Sequence, residues 1–191
     1  MMMQTRYYEL YDDMSNPGRW HLRRPINSNK EWIDTWQFVE GRVLEFDDTI
    51  YFPVRPAGIV YEFTFCSMGN PVVNHRVRSL LERLGLEREV QFIPVEVEGQ
   101  PEPWFILNVL QVIRCIDDAR CEEVLYWQPE DGRPEKLGKY RNVAGMRVDK
   151  EKVGHASIFR PWGWLVVLIV SERIKLALEA EGITGTEFVE V

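Results

Sequence analysis

The central stretch of the chain reads VQFIPVEV at residues 90–97, EGQPEP at 98–103 and WFILNVLQVIRCI at 104–116. Both flanking runs are rich in β-branched and aromatic residues, a composition typical of strands. The link between them is polar and contains a glycine and two prolines, which interrupt regular pairing. Because short links join antiparallel neighbours, the stretch predicts a hairpin of two long strands.

A helix is predicted before this hairpin, at residues 71–84. Asn70 is a suitable N-cap and Pro71 a suitable first helical residue. Gly85 follows the last turn and can end the helix in a left-handed conformation. The apolar residues recur at helical spacing and form one face, which we expect to be buried: Val73, Val77, Leu80, Leu81 and Leu84.

A second helix is predicted near the end of the chain, at residues 172–181. Ser171 can cap it, and an acidic residue in its first turn suits the helix dipole. Gly182 stands where a terminating glycine belongs, and Ile183 could pack against Leu178 as in a Schellman ending.

The remaining apolar runs predict short strands, and Trp32 and Trp36 are spaced like one helical turn. Strands outnumber helices, and only two main helices interrupt them. This pattern favours an α+β fold with a mainly antiparallel sheet over a regular βαβ series. The additional strands are predicted at Arg6–Tyr11, Arg42–Phe46, Thr49–Val54, Ile59–Phe65, Glu123–Trp127, Val143–Val148, Ser157–Arg160, Leu165–Val170 and Thr186–Val191.

Composition and charge indicate a soluble globular protein. The chain has 191 residues, of which 45% are hydrophobic and 28% charged, and a chain of this length can bury one sizeable core. We therefore expect a single domain over residues 1–191. The net charge is −7, and residues 91–135 contain 3 basic and 10 acidic side chains. An acidic surface repels phosphate backbones, so nucleic acid is not expected as a partner.

The cysteines and the termini point to the cytoplasm. The three cysteines form no CxxC pair and are odd in number, so buried reduced thiols are expected instead of a disulfide framework. The first residues have no apolar segment of the kind found in signal peptides. The longest apolar run, residues 164–170, is too short for a membrane helix, so no membrane partner is expected.

Motifs that carry chemistry are absent from the sequence. It contains no Gly-x-Ser-x-Gly elbow, no HExxH or CxxC metal pair and no glycine-rich phosphate loop. His75 is expected on the outer side of the first helix. Adjacent acids such as Asp47 and Asp48 are typical of solvated turns. We therefore predict a protein that is not an enzyme and needs neither cofactor nor metal. The alternative is a hydrolase that uses carboxylates near a tryptophan-lined cleft.

Seven tryptophans are many for a chain of this length, and some lie beside turn residues. Trp20, Trp162 and Trp164 are the examples. Aromatic residues near loops can anchor an interface, or they can close the ends of a small core. We favour the core interpretation for them.

The acidic middle of the chain is the best functional indication that the residues alone provide. A negative field speeds encounter with a basic partner, although it also serves solubility. One group is expected at the hairpin tip and the other after the second strand, at the opposite end. Together the predicted partner-binding residues are Glu96, Glu98, Glu102, Asp117, Asp118, Glu122 and Glu123.

Several phrases, in this order and spacing, resemble a known protein family. The resemblance is to the bacterial polymorphic-toxin immunity family numbered eleven, common in proteobacteria and myxobacteria. It covers roughly residues 36–191, and residues 1–35 match only weakly. The phrases that carry it are Tyr61–Thr64, Val72–Val77, Val90–Val95, Trp104–Leu110, Cys115–Asp117, Ile158–Arg160, Val170–Lys175 and Thr184–Phe188.

The resemblance implies one cytoplasmic immunity-protein-like domain that binds and neutralises a cognate toxin or otherwise mediates protein interaction. It supplies no catalytic residues to transfer to this chain. A basic effector such as a nuclease would suit the acidic stretch. The alternatives are the hydrolase considered above and a structural or regulatory interaction protein.

Overall fold

The structure is a computed structural model that describes residues 5–191. Within that range it contains three α-helices, α1 (His75–Arg83), α2 (Lys150–Val153) and α3 (Glu172–Ala180), with several 3-10 turns. The strands are β1 (Tyr7–Asp12), β2 (Tyr51–Phe52), β3 (Phe63–Cys66), β4 (Asn70–Asn74), β5 (Val90–Val97), β6 (Gln100–Val109), β7 (Val112–Ile113), β8 (Glu123–Tyr126), β9 (Tyr140–Ala144), β10 (Ile158–Pro161), β11 (Ile169–Ser171) and β12 (Thr186–Glu190).

These strands form two five-stranded sheets and one two-stranded ribbon. The first sheet has the order β12–β1–β11–β10–β7, the second has the order β2–β5–β6–β4–β3, and β8 pairs with β9 in the ribbon. The pairs β7–β10 and β2–β5 are parallel, and the other pairs are antiparallel. The predicted α+β class with mainly antiparallel sheet is confirmed.

The main hydrophobic core lies between the two sheets. Its members come from both sheets and from the inner faces of α1 and α3, so neither sheet buries its apolar face alone. They include Tyr8, Leu10, Ile158 and Val170 from the first sheet, Phe63, Val73, Phe105 and Leu107 from the second, Val77 and Leu81 from α1, and Ile174 and Leu178 from α3.

A buried arginine joins the two sheets at one edge of this core. Arg19 donates from Nη1 to Oδ1 of Asp12 in β1 at 2.6 Å, and from Nη2 to Oγ1 of Thr64 in β3 at 2.6 Å. Its side chain is 1% exposed. Burial raises the pKa of Asp12, and the pairing with Arg19 opposes that rise. The guanidinium therefore ties together the first sheet, the second sheet and the loop between β1 and β2.

The predicted hairpin is confirmed, with a tighter turn and a shorter second strand. β5 and β6 pair from Val90–Val109 to Val97–Gln100, so the link shrinks to two residues. Pro101 and Pro103 lie within β6, but β6 pairs with β4 only from Trp104 onward, which leaves the prolines on an edge that tolerates them. The single strand predicted over 104–116 is wrong beyond residue 109. There β6 ends, and the chain crosses to the first sheet, where residues 112–113 form β7.

The first helix begins later than the predicted range 71–84. Asn70 and Pro71 lie in β4, and the Asn70 side chain is buried and donates to the carbonyls of Thr35 and Ser67. Asn74 caps the helix instead, since its Oδ1 accepts from the N–H of Val77 at 3.2 Å. The Asn-Pro pair therefore starts a central strand, and α1 occupies 75–83.

The second helix closely follows its prediction. α3 ends in a Schellman motif, in which the N–H of Ile183 donates to Leu178 at 3.0 Å and the N–H of Gly182 donates to Glu179 at 3.0 Å. Gly182 has the positive φ that the motif requires. Ser171 occupies the N-cap position, but its side chain makes no capping bond and its buried hydroxyl has no partner among the described residues.

Other local predictions fail for tertiary reasons. No strand forms at 42–46, because the side-chain amide of Gln91 satisfies both backbone groups of Leu44. Trp36 lies in a 3-10 turn, Thr35–Val39, whereas Trp32 lies outside it. The strand predicted at 165–170 begins only at Ile169.

No helix within residues 5–191 is long and apolar enough to span a bilayer.

Candidate functional site

The first acidic group lies at the tip of the β5–β6 hairpin, as predicted. The carboxylate of Glu98 accepts from the N–H of Val54 at 2.7 Å and from Arg55 at 3.1 Å. The Val54 N–H in particular holds the pKa of Glu98 below its usual range. Glu96 and Glu102 are exposed, and their carboxylates bond to no side chain or backbone group in residues 5–191. The tip thus has two uncommitted negative charges and one that anchors the loop after β2.

The second acidic group lies at the start of the β8–β9 ribbon, and much of its charge is already used. Asp117 pairs with Arg120 at 2.6 Å, and Glu123 accepts from Asn142 at 2.8 Å. Asp118 accepts hydrogen bonds from the hydroxyls of two stacked tyrosines, Tyr126 and Tyr140.

In the second group, the carboxylate of Glu122 is exposed and unpaired within the described chain. Across both acidic groups, Glu96, Glu102 and Glu122 are therefore available to a partner. The two groups lie on different sheet systems, and none of their residues lines the cavity that four tryptophans line.

That cavity, which we call the aromatic cleft, has a volume of about 620 Å³. Four separate parts of the chain form it: the 3-10 turn at Thr35–Val39 with the adjoining Glu40, Val112 of β7, the β8–β9 ribbon with its connecting loop, and the turn between β10 and β11. Four tryptophans contribute to its walls. The lining residues are Trp36, Glu40, Val112, Trp127, Glu135, Lys136, Lys139, Tyr140, Trp162, Gly163, Trp164, Leu165 and Val166.

Backbone hydrogen bonds hold these tryptophans in place. The N–H of Trp127 donates to Lys139 at 3.1 Å across the ribbon, and the N–H of Trp162 donates to Ile113 of β7 at 2.8 Å. The N–H of Trp164 closes the turn on Pro161 at 3.1 Å. The backbone at three of the four cleft tryptophans is therefore fixed by hydrogen bonds within the fold.

A buried arginine fixes the turn that carries Trp162 and Trp164. Arg160 is fully buried and donates to the carbonyl of Leu165 at 2.8 Å and to that of Gly69 at 2.9 Å. It forms no ion pair within residues 5–191, and burial lowers its pKa to about 10. Gly69 has a positive φ, and a Cβ there would lie 2.2 Å from the carbonyl oxygen of Val166. The turn thus packs directly on the backbone that leads into β4.

Cations cover some of the aromatic rings at the cleft. Lys136 Nζ lies 4.6 Å from the ring centre of Trp127, with Arg141 at 5.6 Å. The guanidinium of Arg114 lies 3.7 Å from the ring centre of Trp162. Each such contact contributes about 0.5–1 kcal/mol at an exposed site, so the cations are held close to the rings.

Several cations at the cleft have no carboxylate partner. Its two carboxylates are already paired, Glu40 with Arg42 at 2.9 Å and Glu135 with Arg133 at 3.7 Å. Lys136, Lys139 and Arg114 have no carboxylate within salt-bridge distance in the part of the chain described. An apolar cavity with free cations can receive an anion next to an apolar group.

The core interpretation is confirmed for Trp20 and wrong for Trp162. It holds in part for Trp164, which packs against the hydrophobic cluster that contains Tyr7 and Phe159. Trp20 is 1% exposed and packs on Trp104 with ring centres 5.1 Å apart. Trp162 and Trp164 are only half-buried and line the cleft. The sequence contained the signal, two tryptophans around a glycine in a turn, but nothing local connected them with Trp36 and Trp127.

A smaller cavity of about 420 Å³ bears on the hydrolase alternative. Glu9 and Asp12 line it, and burial raises the pKa of both carboxyls. Residues three apart on a strand point to opposite faces, and Asp12 is bound to Arg19. A carboxylate pair for hydrolysis needs two carboxyls free to act on one bond, and the carboxylate of Asp12 is already bonded to Arg19.

The other candidate chemistry residues remain apart. His75 is exposed on α1, as predicted. Within residues 5–191, no three His, Cys, Asp or Glu side chains are grouped so as to hold a metal ion. Cys66 and Cys115 are buried and Cys121 is half-buried, and all three are free thiols.

Comparison with known proteins identifies the family to which the chain belongs. Residues 3–191 match the model of the immunity protein family Imm11, so the chain belongs to that family. The match extends well before residue 36, and the N-terminal segment is therefore part of the family region as well. A search of curated proteins gives no match. Family membership indicates an immunity protein with a cognate toxin.

Proposed function

We propose that this protein is a cytoplasmic immunity protein that neutralises a cognate toxin by binding it, without catalysis and without a cofactor. The observation that carries the proposal is the family match over nearly the whole chain. The surface chemistry supports it, since uncommitted carboxylates and half-exposed tryptophans are suited to contact with another protein.

The acidic residues form the proposed contact with a basic toxin surface. Glu96, Glu102 and Glu122 are the members of the predicted set whose carboxylates are free to pair with a partner. Glu98, Asp117, Asp118 and Glu123 would act mainly by holding the hairpin tip and the ribbon in shape. A rim charge mainly affects the association rate and its salt dependence, so we expect these three residues to act on encounter.

The test uses the toxin encoded beside the gene for this protein. The variant Glu96→Lys/Glu102→Lys/Glu122→Lys is expected to lower the association rate at low salt by about tenfold or more. Surface plasmon resonance measures the rate, and survival of toxin-expressing cells measures protection.

The matched control is Glu45→Lys/Glu87→Lys/Glu151→Lys, which changes the net charge equally at three other exposed sites. It is expected to alter the rate by less than about threefold, because only the long-range field changes. Equal effects of the two variants would refute the proposed acidic contact. Absence of both complex and protection with the unmodified protein would refute the toxin-neutralising function.

The hydrolase remains the alternative, and it predicts a different phenotype. If the protein inactivated its target chemically, substoichiometric amounts would protect cells and Glu9→Gln would abolish that protection. The proposed binding function requires roughly one protein for each toxin molecule, and Glu9→Gln should leave protection unchanged.

A further inference from the structure

We infer that the aromatic cleft receives an acidic segment of the partner protein, with an apolar or aromatic side chain as its anchor. This inference rests on the proposed function and adds a second contact to it. The acidic residues would meet basic groups of the toxin, and the cleft would hold a separate acidic segment.

The size and lining of the cleft match the anchor. A volume of about 620 Å³ accommodates a few side chains, and its walls come mainly from tryptophan rings and aliphatic residues. Trp36 is 39% exposed there, although a large apolar ring gains from burial. Half-exposed tryptophans around a concave surface are typical of the residues that contribute most to protein binding.

The unpaired lysines at the cleft indicate that the bound segment of the partner is negatively charged. Because Glu40 and Glu135 are already paired within the chain, the free charges at the cleft belong to Lys136 and Lys139. Next to apolar walls these ammonium groups interact with a carboxylate more strongly than in open water. A basic or neutral segment bound in the cleft would desolvate these ammonium groups without pairing them, which costs free energy.

The rings favour a peptide over a nucleotide. A nucleobase binds by stacking on an open aromatic face. In this cleft Lys136 and Arg141 already lie against Trp127, and Arg114 lies against Trp162. These cations leave less of each ring face open for a nucleobase to stack on. An aliphatic or aromatic side chain flanked by carboxylates can still contact the ring edges and the lysine amines.

The binding experiment compares cleft variants with matched surface variants, using the same toxin. We expect Trp36→Ala to weaken the complex about thirtyfold and Lys136→Glu/Lys139→Glu to weaken it about tenfold or more. The controls are Trp32→Ala, an exposed tryptophan that also carries a cation on its ring, and Lys30→Glu/Lys150→Glu. They should change the affinity by less than about threefold. Circular dichroism checks that every variant is folded.

A cross-linking experiment tests the acidic character of the segment directly. Carbodiimide joins a lysine amine to a carboxylate in contact with it, so Lys136 or Lys139 should become linked to an Asp or Glu of the toxin. A normal complex in which neither lysine is linked, and which the cleft variants leave unaffected, would overturn this inference alone.

Two further outcomes are decisive. Saturable binding of adenosine monophosphate that Trp36→Ala removes, without any effect of that substitution on toxin binding, would assign the cleft to a small anion and overturn the inference. No complex between the unmodified protein and the toxin would overturn the proposed function and this inference with it.

Discussion

The cations in the interior and the cations at the aromatic cleft carry the same charge but differ in burial and in their bonding partners. Arg19 and Arg160 are almost completely buried, and each makes several hydrogen bonds that connect distant parts of the chain. Lys136 and Lys139 are bound to no carboxylate in the described chain. A buried cation whose hydrogen bonds join distant segments serves the fold, although Nε of Arg160 has no partner among the described residues. A cation held beside apolar walls without an anion remains available to a partner.

The two buried arginines also differ from each other. Arg19 has a carboxylate partner in Asp12, whereas Arg160 donates only to carbonyl oxygens. A carbonyl bonded to a guanidinium leaves the positive charge unneutralised, which is why burial lowers the pKa of Arg160. The interior thus contains one ion pair that links the sheets and one unpaired cation that fixes the cleft turn.

The largest effect is expected from removing the interior ion pair. Arg19→Met should lower the free energy of unfolding by about 3–5 kcal/mol, because Asp12 loses its counter-ion and Thr64 its donor. Urea denaturation followed by fluorescence measures this loss.

Arg23→Met, at an exposed position near Arg19, is the control and should change stability by less than about 0.5 kcal/mol. If the Arg19 variant were as stable as this control, the interior cation would not hold the sheets together, and the contrast with the cleft would disappear.

The next effect concerns the buried thiol beside Arg160. Burial raises the pKa of Cys66 to about 12, from an ordinary value near 9. Between pH 9 and 12 the unfolded chain loses this proton while the folded chain keeps it, so the contribution of Cys66 to stability is complete below pH 9 and is lost as pH rises. Cys66→Ala should therefore reduce the alkaline fall in stability by up to about 1.4 kcal/mol per pH unit.

Denaturation curves at several pH values between 8 and 11 check this slope. Cys121→Ala, at a half-buried position, is the comparison variant. Iodoacetamide at pH 8 should modify Cys121 and spare Cys66 and Cys115. Rapid labelling of Cys66 in the native protein would contradict the burial on which the prediction depends.

The smallest effect on stability is expected at the cleft. Lys136→Ala/Lys139→Ala should change the free energy of unfolding by less than about 1 kcal/mol, since only a cation–π contact is lost. Thermal unfolding measures it. A loss of unfolding free energy as large as that of Arg19→Met would show that these lysines stabilise the fold. The distinction between the interior arginines and the cleft lysines would then disappear.

Those parts of the fold that depend on neighbouring residues could be predicted from the sequence. The strand composition around a polar link predicts the β5–β6 hairpin, and the glycine after α3 with the following isoleucine predicts its Schellman ending. The α1 boundary failed because Asn-Pro is equally suited to begin a helix or a strand, and the deciding contacts of Asn70 reach Thr35 and Ser67.

The aromatic cleft could not be read from local patterns. Its tryptophans come from three regions that only the packing of both sheets and the ribbon brings together. The acidic groups were identified from the sequence, but the sequence could not separate Glu96, Glu102 and Glu122 from neighbours whose carboxylates are bonded within the chain. That separation depends on partners such as Val54 and Asn142.

Gly69 gives this arrangement a consequence for substitutions outside the cleft. The residue lies outside the aromatic cleft, yet even a methyl group on it would collide with the backbone of Val166 and displace the turn that carries Trp162 and Trp164. The contour of the aromatic cleft therefore depends on a residue that is not part of its lining.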